Sequence, residues 1–221
     1  MAGIHSVDTG CVDIGYLVLG MLENNVYIIG DGKGTMVVDP SCHCEDILEA
    51  LDGRKVDAIV LTHHHYDHMG AANALREATG ATVIASAADA PFVEDESLVK
   101  RDPRKSQACP VDRKVADGDW VEVGDMAWKV IATPGHTPGS ICLYLAPESG
   151  PHPDKAGVLI AGDTLFYDSV GRTDFEGGSM TDMRASLKKL AALPDDTLVL
   201  PGHSLLTAIG AERPRVFARY A

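Results

Sequence analysis

Short apolar runs rich in β-branched residues punctuate the chain, and most are too short and too uniformly apolar to be amphipathic helices. Tyr16–Gly20, Val26–Ile29 and Met36–Val38 read as antiparallel strands, with a turn at Asp31-Gly32-Lys33-Gly34. Ala58–Leu61, Thr82–Ala85, Ser140–Leu145, Val158–Ala161 and Thr197–Leu200 read as further strands. Trp120–Val123 and Ala127–Ala132 predict a hairpin turning at Gly124-Asp125. Helical spacing covers Glu45–Leu51, closed by Gly53, and Ala71–Thr79, stopped by Gly80. A short helix is expected after Ser86. A longer one is expected over Met180–Leu193, capped by Ser179 or Thr181 and carrying a core stripe of Met and Leu. Val93–Pro110 has mixed charge, prolines and little period, and reads as a lid or loop; Pro147–Gly157 reads as a surface loop. With no repeat and no linker, the pattern predicts one α/β domain over residues 1–221, built as two packed sheets flanked by helices.

Composition narrows the partners. Hydrophobic residues make up 45% of the 221 positions, so a packed core is expected. Lys plus Arg number 19 against 32 Asp plus Glu, a net charge of −13, which argues against nucleic acid as a partner. No apolar run is long enough to span a membrane. The start of the chain lacks a basic segment, and Asp13 interrupts Val12–Leu22, so no export signal is expected. Five cysteines, an odd set, then read as reduced thiols of a cytoplasmic protein.

The chemistry lies at strand ends. Ala58–Leu61 runs into His63, Lys129–Ala132 into Pro134-Gly135-His136, Val158–Ala161 into Gly162-Asp163, and Leu198–Leu200 into Pro201-Gly202-His203. Each is a buried-strand run, a tight turn and a residue able to ligate a metal. If these strands point the same way, their ligands converge on one edge. His63, His65, Asp67 and His68 place four potential ligands within six residues, too many for one ion, which suggests two adjacent metals roughly 3.5–4 Å apart. Imidazole and carboxylate donors suit zinc, iron, manganese or cobalt.

The ordered set His63-x-His65-x-Asp67-His68, Gly135-His136, Gly162-Asp163 and Pro201-Gly202-His203 resembles the metallo-β-lactamase superfamily. Thr133–Ser140, Gly162–Phe166 and Gly171–Phe175 are similar to the glyoxalase II branch, the hydroxyacylglutathione hydrolases. The resemblance implies a four-layer αβ/βα sandwich with the site at one edge. It also implies His63, His65 and His136 on a first metal, Asp67, His68 and His203 on a second, and Asp163 bridging both. Asp67 is the candidate proton acceptor as well. Asp39 falls at the family's early aspartate and is expected to be structural.

The expected cofactors are two divalent metals, zinc first, with iron or manganese as alternatives. They would lower the pKa of a shared water toward about 7 and so provide a hydroxide for attack on an acyl carbonyl. A thiol of pKa about 8.5 leaves as thiolate without an added acid, so a small acyl-thiol ester is the expected substrate. A lactone or other ester is an alternative, as is a persulfide dioxygenase-like enzyme with one iron; the latter usually has Ala where Gly202 stands. Glutathione is not fixed as the thiol. Few residues follow His203, where the family appends a basic helical domain, and the usual Lys and Tyr after Gly162–Phe166 are missing. Ser204 also replaces a common Gly. Asp163 argues against a β-lactamase, and the net charge against a nuclease.

Other candidates carry less. Tyr66 and Arg172 are candidate substrate-binding residues, although Arg172 is better read as the ion-pair partner of Asp174. His64 is expected to face outward or line the mouth, and His5 and His152 to lie on the surface. Cys42-His43-Cys44 has no second cysteine pair at metal-finger spacing and reads as a partly buried helix start.

Overall fold

Uniformly apolar strands need cover on both faces, and the fold supplies it in four layers. A computed structural model of the chain describes residues 3–99 and 107–221. The first sheet holds β1 His5–Asp8, β2 Asp13–Leu19, β3 Asn24–Gly30, β4 Thr35–Val38, β5 Ala58–Val60, β6 Thr82–Ser86 and β7 Arg113–Val115, side by side in chain order. Its first four strands are antiparallel and β4 to β7 run parallel. The remaining strands are β8 Trp120–Val123, β9 Met126–Ala132, β10 Ile141–Leu145, β11 Val158–Gly162, β12 Leu165–Phe166, β13 Ser169–Val170, β14 Leu198–Pro201 and β15 Thr207–Ala208. The second sheet has the order β15-β14-β11-β10-β9-β8, and β12 with β13 forms a separate ribbon.

The period of two sorts residues between layers. Ile29, Val38 and Val60 face Trp128, Val130, Leu143 and Ile160 in the core between the sheets. Their neighbours Ile28, Val37 and Ile59 point the other way, beneath α1 Cys44–Leu51, α2 Tyr66–Met69 and α3 Ala72–Thr79. On that side also run α4 Ala90–Glu94 and α5 Glu96–Val99, with Val93 and Val99 in the same cluster. Leu159, Ala161 and Val199 face out from the second sheet onto Met183, Leu187 and Leu190 of α6 Met180–Leu190. The architecture is the αβ/βα sandwich. Among the described residues, no helix is long and apolar enough to cross a membrane.

Ser179 caps α6, its hydroxyl accepting the Asp182 N–H at 3.2 Å. The helix ends at Leu190, short of the expected Leu193, because Pro194 disfavours helical backbone before it. Arg213 donates to the carbonyls of Ala191 and Leu193 that this leaves open. The Val93–Pro110 loop begins instead as α4 and α5; its residues 100–106 lie outside the described residues. Strand β1, mostly exposed, and the three-residue β7 carry too little pattern to be read in advance. The same holds for the two-residue β12, β13 and β15.

Candidate metal centre

Four turns at strand ends bring the donors together. Strands β9, β11 and β14 point the same way in the second sheet, although β10 intervenes and runs opposite. Strand β5 belongs to the first sheet, and its turn meets the others across the sandwich edge, with the Ile141 N–H bonded to the Thr62 carbonyl at 2.9 Å. His63, His65 and His136 place one ring nitrogen each within 4.8 Å of one another. Asp67, His68 and His203 form a second such trio beside it. Asp163 stands between them. Its oxygens lie 3.3 Å from His136 Nε2, 3.3 Å from His68 Nε2 and 3.5 Å from His203 Nε2.

Outer acceptors aim the rings. His68 Nδ1 donates to Asp39 at 2.9 Å, His136 Nδ1 to the Arg172 carbonyl at 2.7 Å, and His203 Nδ1 to the Leu22 carbonyl at 2.8 Å. His63 Nδ1 is 3.1 Å from the Thr62 hydroxyl, which itself donates to Asp39 at 2.6 Å. Each bond orients its ring so that Nε2 faces the centre. His65 is the exception and presents Nδ1, 2.8 Å from His136 Nε2. Asp39 spends its oxygens on the Thr62 N–H, the Thr62 hydroxyl and His68, so it supports the ligands rather than joining them. Its backbone is left-handed, φ 50°, a strained conformation held beneath the site.

The donor set fits a pair of divalent cations. His63 Nε2 is buried with no hydrogen-bond partner, and so is Asp163 Oδ1, which lies near His68 without hydrogen-bond alignment. Burial, reinforced by the neighbouring imidazoles, lowers the His63 pKa well below its usual value and that of His65 to about 3. Burial also lowers His136, so this trio is unprotonated at neutral pH and ready to ligate. On the other side the acids dominate. Burial opposes a charge on His68, yet Asp163 and Asp39 hold its pKa well above normal. Bonds to Asp163 and Asp67 raise His203 to about 9 against the same penalty. Asp67 and Asp163 lie well below the usual carboxylate range: burial opposes ionisation, and contacts with His203 and His68 outweigh it. Orphaned lone pairs next to surplus negative charge make a site for cations.

Three neighbours escaped the sequence. Asn24 donates to Asp67 at 3.0 Å and lies 3.3 Å from His68 Nε2 and 3.4 Å from His203 Nε2. The signal was present as two buried amides, Asn24 and Asn25, opening an apolar strand. Phe175 packs edge-on against His65 and His136, ring centroids 5.5 and 6.0 Å away. Asp89 is buried, accepting the His64 N–H at 3.0 Å and the Thr137 hydroxyl at 2.8 Å. His64 therefore does not line the mouth: its ring turns to Asp89 and stacks on Phe92 at 4.5 Å.

Arg172 is paired with Asp174 through two hydrogen bonds of 2.9 and 2.8 Å, and its guanidinium covers the Phe175 ring at 4.2 Å. Tyr66 opens α2 and lines a groove beside Asp67. Cys44 begins α1, and burial raises the thiol pKa of both Cys42 and Cys44.

A family model described as metallo-β-lactamase superfamily matches residues 19–203. An uncharacterized protein of Aquifex aeolicus is 39% identical over 205 residues, covering 88% of this chain and 91% of that one. A hydroxyacylglutathione hydrolase of Rhodospirillum rubrum is 41% identical over 169 residues, covering 76% of this chain and 56% of the hydrolase. Among crystal structures, the B3 metallo-β-lactamase BLEG-1 superimposes with a TM-score of 0.80 at 33% identity, covering 91% of this chain and 97% of that one. TTHA1623 in a di-iron-bound form gives 0.77 at 32% identity, covering 90% and 97%. Fold, strand-end donors and matched sequence agree: the chain belongs to the metallo-β-lactamase superfamily.

Proposed function

We propose that the chain is a metal-dependent hydrolase of small acyl-thiol esters, acting in the cytoplasm on a substrate whose thiol need not be glutathione. The observation that carries this reading is the convergence of seven donor side chains on one edge, with the outer nitrogens of His63, His68, His136 and His203 already spent. In it, His63, His65 and His136 hold one metal, Asp67, His68 and His203 a second, and Asp163 lies between. A pair of divalent cations bound there supplies a Lewis acid for the acyl carbonyl and lowers the pKa of water toward about 7. The chain's own residues orient and manage protons. Asp67, steadied by Asn24, accepts the proton released as water adds to the carbonyl carbon. The carbon–sulfur bond breaks and the sulfur leaves as thiolate, so no buried acid is required. The relative that is a hydroxyacylglutathione hydrolase supports the thioester, and the di-iron form of TTHA1623 supports a dinuclear centre.

The test is metal analysis together with a substrate panel of thioesters, lactones, a β-lactam and a persulfide. Two metals per chain and thioester turnover are expected. One iron per chain with oxygen uptake on the persulfide overturns the proposal.

A further inference from the structure

We infer that the groove on the Asp67–His203 side of the centre is a subsite for an uncharged aliphatic acyl group, so that longer straight-chain acyl thioesters are preferred over short or anionic ones. The inference rests on the hydrolase reading above and names its substrate class. The groove encloses about 720 Å³, within the range of small-molecule sites. One wall is the turn between β2 and β3, where Met21 is fully exposed and Leu22 is 51% exposed. Cys42, Tyr66, Ala71 and Ala74 also line the groove. An exposed thioether is a soft, adaptable contact for an alkyl chain, and two large apolar side chains left in water beside a reactive centre call for cover.

Charge selects against an anionic end group. No lysine or arginine is among the described residues lining the groove, whereas Asp67 is. Burial keeps the Cys42 and Cys44 thiols neutral. The lining also holds Asn24, Ser41, His43, Tyr66 and Gln107, yet among the described residues no lysine or arginine stands ready to pair with an anionic end group, while Met21, Leu22, Ala71 and Ala74 offer an apolar strip to an alkyl chain. Arg172 stands apart over Phe175, against His65 and His136, and takes no part in the lining.

The groove is also continuous with the centre. The Leu22 carbonyl in its wall accepts from His203 Nδ1, and Asn24, two residues on, donates to Asp67. An acyl chain lying along Met21 and Leu22 thus starts at the donor atoms of the second trio.

The test uses metal-loaded protein and acyl thioesters of N-acetylcysteamine, from acetyl to octanoyl, with succinyl as the anionic member. Expected is a rise in kcat/KM of about two- to fourfold per methylene, carried by KM, with succinyl below the chain of equal length. Met21→Ser, at a fully exposed position, and Ala74→Asp should each flatten the series. A flat series in the unaltered protein, or a succinyl preference, overturns the inference. Calorimetric binding of butanoate, hexanoate and octanoate is the second measurement. Affinity rising with length, less so in Met21→Ser, upholds the groove even if no thioester is turned over, an outcome that removes the hydrolase reading alone. Equal affinities overturn the groove.

Discussion

The carboxylate of Asp89 reaches across 25 residues of chain to accept the backbone N–H of His64 at 3.0 Å, between the two ligand candidates His63 and His65. Its same oxygen takes the Thr137 hydroxyl at 2.8 Å, next to His136. One buried acid therefore ties together the two turns that carry the first donor trio, and Gly139 approaches so closely that a side chain there would strike the carboxylate.

Asp89→Ala leaves the part-buried His64 N–H without its acceptor and the Thr137 hydroxyl with Ser140 as its one remaining partner, which costs about 1–3 kcal/mol of stability. It also loosens the geometry of His63, His65 and His136, so metal affinity should fall about 10- to 100-fold. Denaturant unfolding and chelator competition measure the two effects separately. Unchanged metal affinity in a folded variant would remove Asp89 from the support of the centre.

Gly202 has a different duty, which is to leave room. A Cβ at this position would collide with Asp163 Oδ1 and lie 2.7 Å from His68 Cε1. Gly202→Ala should displace the carboxylate shared by the trios and lower the metal content from two per chain toward one, with the circular dichroism spectrum unchanged. Retention of two metals would show that Asp163 is not held by this contact.

Chelation should remove the catalytic activity, and restored divalent metal should return it. Because the folded state gathers the donors and the unfolded chain scatters them, metal at about 1,000 times its Kd adds about 4 kcal/mol to folding. A melting temperature equal in stripped and loaded protein contradicts the ligand assignment.

Ser204 follows His203 in the left-handed region, φ 67°, while its carbonyl accepts from Asn25 at 3.0 Å. Ser204→Gly relieves that strain and should stabilise the fold by about 0.5–1 kcal/mol, read as a higher denaturant midpoint. Ser204→Val, β-branched, should do the reverse. Equal midpoints for all three proteins would mean the turn carries no strain.

Arg172 holds His136 through its backbone carbonyl, and its side chain is spent on Asp174 in solvent. Arg172→Ala should therefore change metal content little and kcat/KM by less than about threefold, as befits an exposed pair. A drop of tenfold or more in kcat/KM, with metal content intact, would assign the guanidinium to substrate.

The sequence determined the parts that depend on neighbours along the chain. A buried strand must be apolar on both faces, and a tight turn must follow where a ligand is presented, so Ala58–Leu61 into His63 or Leu198–Leu200 into Pro201-Gly202-His203 is visible locally. The Ser179 cap and the Gly80 stop are legible for the same reason. Tertiary structure decided what depends on residues far apart. Only the folded chain puts β5 in one sheet and β9, β11 and β14 in the other, turns His64 inward to Asp89, and sets Asn24 against Asp67, 43 positions away. A lone polar residue has many possible partners in sequence. Burial leaves it one, because a buried donor or acceptor without a partner is too unfavourable to keep.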